Sequence, residues 1–105
     1  MVWQSSYNLA RKVYFFTRKL PKTEQYGMIS QIQRSAFSIP SNIAEGQQRG
    51  GVKEFKQFLY IARGSAAELS TQLLLVDDIY SIDTSALVNE LEGIQKMLYA
   101  LIKKL

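Results

Sequence analysis

Between Lys53 and Tyr80, apolar or small residues recur at intervals of three and four: Phe55, Leu59, Ala62, Ala66, Leu69, Leu73, Val76 and Tyr80. A half-buried strand needs an interval of two, so this spacing predicts one amphipathic helix, about 42 Å long at 1.5 Å per residue. Such a seam cannot be buried within one helix. Partner helices of comparable length have to cover it.

The rest of the chain supplies three candidates. A helix from about Ser5 to Leu20 is expected to turn Tyr7, Ala10, Val13, Tyr14 and Thr17 inward and to stop at "LPKTE", because Pro21 disfavours helical geometry in the residue before it. Thr23 is then placed to cap a second helix with Ile29, Ile32, Ala36, Ile39 and Ile43 inward. Tyr26 stands where a capping box needs Glu or Gln, so only the simple cap is expected. Gly46 is a candidate stop, and Gly50–Gly51 the following turn. The last helix has its seam at Leu87, Leu91, Ile94, Leu98, Leu101 and Leu105, with Asp83 or Thr84 as N-cap. Short connections make successive helices antiparallel. The expected fold is all-α: one up-down-up-down four-helix bundle spanning residues 1–105.

One residue disturbs this pattern. Pro40 lies inside the second helix, where it removes the N–H that would bond Ala36 and presses its ring on that carbonyl. Ser35, Ser38, Ser41 and Asn42 surround it, and the facing "ARGSAAE" (Ala62 to Glu68) is equally small. These residues predict a kink and a tight, slightly polar structural layer containing Ser35, Pro40, Ser41 and Asn42.

Composition narrows the chemistry. The 105 residues include no cysteine and no histidine, which excludes disulfides and thiol catalysis and removes the usual zinc and haem ligands. No apolar run approaches the ~20 residues of a membrane span, and Met1 leads into a mixed polar pattern, so a cytoplasmic location is expected. "GQQRGGVK" is not a phosphate loop: Val52 separates the glycine from Lys53, no hydroxyl follows, and no strand precedes it. Glu45 is a lone acid, and the adjacent Asp77 and Asp78 point about 100° apart on a helix. The seams offer no Glu-x-x-His pair for a di-metal site. No catalytic residue, cofactor or metal is expected.

Charge leaves binding as the open possibility. Through Arg63 there are ten Lys/Arg against three acids, a balance of +7, whereas the remainder carries three lysines and six acids, a balance of −3. Arg49, Lys53 and Lys56 gather at the start of the third helix; Arg11, Lys12, Arg18, Lys19 and Lys22 lie along the first helix and its following turn. These eight are the candidate phosphate-backbone contacts. Lysine-rich solvated faces are also ordinary on helical bundles, and most aromatics sit at core spacing, not on a stacking platform. Tyr14, Phe15, Phe16, Phe37, Phe58 and Tyr60 nevertheless exceed what one bundle interior is expected to hide, so some should cover a contact between subunits.

Three segments carry a family resemblance: "VWQ" at Val2–Gln4, "LPKTEQYGMISQIQRSAFSIPSNIAEG" at Leu20–Gly46, and "EFKQFLYIARGSAAELSTQL" at Glu54–Leu73. With them the chain resembles the small bacterial bundle proteins encoded by intervening sequences of large-subunit ribosomal RNA genes. That family is related to the accessory variability determinant of diversity-generating retroelements. The resemblance implies an antiparallel four-helix bundle that assembles into a ring-shaped homopentamer without enzymatic activity. It also implies RNA or DNA binding through a positively charged surface and association with a reverse transcriptase. The competing expectation is a protein–protein scaffold that docks such an enzyme and binds no nucleic acid. A more distant one is a hydrolase built on Ser35, Ser41, Asn42 and Glu45.

Overall fold

In the computed structural model, which describes all 105 residues, every regular element is helical. The helices are α1 (Val2–Phe16), α2 (Met28–Gln48), α3 (Val52–Tyr80) and α4 (Ser85–Lys104). Two single turns of 3₁₀ helix, Thr17–Lys19 and Lys22–Glu24, lie between α1 and α2. Each helix packs on the next and α4 returns to α1, so the four form a closed antiparallel square; α2 with α3 is the most extensive pairing. The longest dimension, 43 Å, is set by the length of α3.

Nineteen buried hydrophobic residues make one continuous core. The α3 seam enters it as expected, with Leu59, Ala62, Ala66, Leu69, Leu73 and Val76 fully covered. From α2 come Ile32, Ala36, Ile39 and Ile43, and from α4 come Leu91, Ile94, Leu98 and Ile102. α1 meets its expected setting only in part. Leu9, Ala10, Val13 and Phe16 are buried, while Tyr7 and Tyr14 are 53% and 43% exposed. Ala10, Val13 and Thr17 are inward as expected, but Ser6, Leu9 and Phe16 complete the stripe in place of the two tyrosines, which lie about 100° round the helix from Ser6 and Val13.

The helix ends also differ from expectation. Thr23 does not cap α2; it lies in the second 3₁₀ turn, and α2 begins after Gly27. Glu24 does the tethering instead: one carboxylate oxygen accepts the Met28 N–H at 3.4 Å and the other accepts the Tyr80 hydroxyl. That pairing, with partial desolvation, pushes the Tyr80 pKa up. At the start of α4, Asp83 accepts the Ser85 N–H at 2.9 Å, which lowers its pKa, whereas the buried Thr84 donates to the Leu73 carbonyl at 3.0 Å.

Gly46 does not end α2. The helix continues to Gln48, and Gly50, at φ +83°, makes the turn that only glycine adopts easily. Gly46 instead lets α2 lie close against α3: a Cβ there would lie 2.8 Å from Phe58 Cβ and 3.0 Å from Phe55 Cδ1.

α2 runs unbroken through Pro40. The expected polar layer is assembled only in part. Asn42 Nδ2 donates to the Ser38 carbonyl at 2.7 Å and to Ser38 Oγ at 2.8 Å, and Ser38 Oγ meets Ser65 Oγ of α3 at 2.8 Å. Ser35 is buried on the same side, but Pro40 and Ser41 line the opposite, α1-facing flank, where Ser41 Oγ bonds the Phe37 carbonyl at 2.8 Å. Residues four apart share a helix face and those two apart do not, so Ser38 and Asn42 meet while Pro40 points away. Because Asn42 is half-buried, Asn42→Ala is expected to destabilise by about 1 kcal/mol in chemical denaturation, the lower end of the range for removing a buried bond. An unchanged midpoint would show that the bridge to Ser38 contributes nothing.

Candidate functional site

The antiparallel topology sets six of the eight candidate basic residues at opposite ends of the 43 Å bundle, with Arg11 and Lys12 along α1 between them. Arg18, Lys19 and Lys22 follow α1 and share their end with Glu24, Asp77, Asp78, Asp83 and Glu90. Arg18 lies over the Phe15 ring at 4.8 Å and Lys19 over Phe16 at 5.7 Å. Arg18 and Lys22 line one groove of about 590 Å³ with Tyr14, Gln25 and Tyr26. Lys12 reaches Glu90 of α4 at 3.0 Å, and its neighbour Arg11 is exposed between two grooves.

At the other end, α3 begins where α4 finishes. Lys53 and Lys56 are therefore joined by Lys103 and Lys104, from nearly fifty residues later in the chain. Arg63 and Lys96 continue the charge along α3 and α4. Arg49 caps the end of α2, just before the glycine turn, and is held by two carboxylates, Glu45 at 2.9 Å and Glu54 at 4.0 Å. Its hydrogen bond to Glu45 raises the guanidinium pKa further, and its charge lies over the Phe58 ring at 5.1 Å. Both acids of this end are thus occupied by one arginine, while Lys53, Lys56, Lys103 and Lys104 have no carboxylate partner. Lys103 and Lys104 are absent from the basic cluster expected from the sequence. Helix order alone could have found them, since it places the start of the third helix beside the end of the fourth.

The exposed aromatics are not scattered. Trp3, Tyr7, Tyr14, Phe15 and Phe37 line a groove of about 540 Å³ between α1 and α2, floored by Ala10, Pro40 and Ala44. Tyr14 stacks on Phe37 at 6.2 Å, and Trp3 lies 5.3 Å from Tyr7. Of the six aromatics counted as too many for one interior, Phe16 is in the core, while Tyr14, Phe15, Phe37 and Tyr60 are exposed. A second apolar patch, Leu74, Leu75 and Ile79, occupies the outer side of α3, all three between 44% and 56% exposed.

Catalytic chemistry finds no constellation. Ser35, Ser38 and Ser65 line a polar recess with Gln31, Arg34, Glu68 and Gln72, but Glu45 is bonded to Arg49 and Ser41 faces away. No group of three or more Asp or Glu side chains converges to hold a metal ion. No helix is long and apolar enough to cross a membrane.

No curated protein matches the sequence. Among solved structures, a protein of unknown function from the S23 ribosomal protein family of Bacteroides thetaiotaomicron superposes with a TM-score of 0.86. It is 28% identical, and the match covers 98% of this chain and 99% of that one. The family model of the 23S rRNA-intervening sequence proteins matches residues 1–100. With four antiparallel helices in the same arrangement and a match over nearly its whole length, the chain belongs to the 23S rRNA-intervening sequence protein family.

Proposed function

We propose that the protein is a non-enzymatic, homo-oligomeric bundle that binds RNA or DNA through the basic end formed by α3 and α4. The observation that carries this reading is that Lys53, Lys56, Lys103 and Lys104 belong to the same end of the antiparallel bundle, where Glu45 and Glu54 are both taken up by Arg49. Unpaired lysines on a convex end favour a polyanion over a discrete small ligand, because each phosphate contact releases condensed counterion. Oligomerisation is supported by the two apolar patches, which differ in shape and lie on different helices. A ring with an odd number of subunits needs two complementary surfaces, and the aromatic groove with the α3 stripe supplies such a pair. A pentamer would present the basic end five times, so that weak contacts act together.

The test is fluorescence anisotropy with labelled RNA and DNA. Changing Lys53, Lys56, Lys103 and Lys104 together to glutamine is expected to weaken both at least 10-fold at about 50 mM salt. It should also flatten the log–log salt slope on single strands by about 0.7 for each phosphate that is no longer neutralised. Changing Arg18, Lys19 and Lys22 to glutamine, at the end where acids balance them, should do less. Affinity indifferent to both sets would favour the other reading, a scaffold docking a partner enzyme such as a reverse transcriptase.

A further inference from the structure

Between the first half of α3 and the second half of α4 runs an open groove of about 670 Å³, lined by Tyr60, Arg63, Gly64 and Ala67 on one side and Lys96 and Tyr99 on the other. Its floor is flat because Gly64 and Ala67 have little or no side chain. Gly64 is not there to let helices approach, since a Cβ at that position would meet nothing within 4 Å. A glycine inside a helix is less favourable than alanine, and here no packing contact accounts for it. The walls are aromatic and cationic. Tyr60 and Tyr99 are each 53% exposed, and the Arg63 guanidinium lies over the Tyr99 ring at 5.4 Å. Tyr60 has neither a ring nor a cation over it, so its face is open to solvent.

Each feature has an ordinary explanation as surface decoration; their coincidence in one channel does not. A planar guanidinium fixed against a tyrosine offers its second face for stacking and its donors for phosphate. An exposed tyrosine opposite a flat floor leaves room for a second planar ring. Arg63 and Lys96 outweigh the one carboxylate of the lining, Glu92. The groove also opens towards the basic end, because Lys56 lies one turn from Tyr60 and Lys103 one turn from Tyr99, with its ammonium 5.8 Å from that ring.

We propose that this groove takes unpaired nucleotides of single-stranded nucleic acid, with one base on Tyr60, another on Arg63 backed by Tyr99, and phosphate on Lys96. A duplex keeps its bases stacked on each other and has none to offer these rings, so the groove selects single strands from the polyanions that the basic end attracts. This inference rests on nucleic-acid binding by that end and adds to it the strandedness of the ligand.

The experiment compares oligo(U), oligo(dT) and a duplex of equal length by anisotropy, using the intact protein. Tyr60→Ala, and separately Gly64→Met, whose side chain would fill the open floor, are each expected to weaken single-strand binding about 10-fold and leave duplex binding unchanged. Circular dichroism and light scattering of both variants should match the wild type. Unchanged single-strand affinity in both variants, with wild-type binding intact, overturns the groove and leaves the basic end standing. A wild-type protein that binds no nucleic acid overturns both. A changed oligomeric state in Gly64→Met would show that the groove is a contact between copies of this chain and would likewise overturn the proposal.

Discussion

Gly46→Val is expected to destabilise the bundle by about 2–3 kcal/mol, lowering the melting temperature by roughly 10–20 °C. Against a total stability of about 5–15 kcal/mol for a chain of this length, that is a large fraction. The cause is local. The first carbon of any side chain at this position would sit 2.8 Å from Phe58 Cβ, an atom fixed to the α3 backbone that cannot swing aside as a side-chain tip can. α2 and α3 would have to separate along the most extensive pairing in the bundle. The gain in helix propensity over glycine, below 1 kcal/mol for a β-branched residue, does not offset this. Thermal denaturation followed by circular dichroism is the check. A melting temperature within about 2 °C of wild type would mean that the two helices are not held as closely as the structure places them.

The second large effect concerns assembly. Tyr14→Glu with Phe37→Glu places two charges in the aromatic groove, where the wild-type rings stack at 6.2 Å. Leu75→Glu with Ile79→Glu does the same to the outer stripe of α3. Each pair is expected to convert the oligomer to the 12.0 kDa monomer in light scattering at micromolar concentration. All four residues are more than 40% exposed in the single chain, so neither pair should reduce the helical signal. The two pairs together test ring geometry: an interface related by a two-fold axis needs only one self-complementary patch, whereas a ring uses both. Dissociation in one pair only would favour a dimer. A wild-type protein already monomeric at that concentration would remove oligomerisation from the account.

The fold is legible in the sequence because the core residues of α2, α3 and α4 are aliphatic and regularly spaced. Ile32, Ala36, Ile39 and Ile43, or Leu59 through Val76, admit one buried face, and that face determines the antiparallel square. α1 is harder to read because its aromatics lie next to its aliphatics. Tyr7 and Tyr14 fit a spacing with Ala10, Val13 and Thr17 as well as Ser6, Leu9 and Phe16 do, and only the packing of α2 and α4 decides which set turns inward. Glycine is ambiguous for a different reason. Gly46 has the local pattern of a helix stop, but its role depends on the position of Phe58 across the interface, which no local pattern contains. The polar layer departs from expectation in its details for the same reason: Ser38 is one serine among several until Ser65 stands opposite it.

Half of the basic surface is hidden in the same way. Lys53 and Lys56 are visible as a local cluster, whereas Lys103 and Lys104 have the pattern of an ordinary helix end, where lysines complement the helix dipole. Arg49 belongs to that cluster in sequence, but in space Glu45 and Glu54 neutralise it. Tyr60 and Tyr99 are 39 positions apart, so their shared groove exists only once α3 and α4 are paired.

The central claim is that the free lysines of the α3–α4 end bind a nucleic-acid backbone. A salt titration of wild-type affinity for a labelled single-stranded RNA tests it most directly. Four phosphate contacts predict a log–log slope of about −2.8, steeper if the protein forms a ring that engages several ends on one strand. A slope near zero, or no binding at about 50 mM salt, would contradict it.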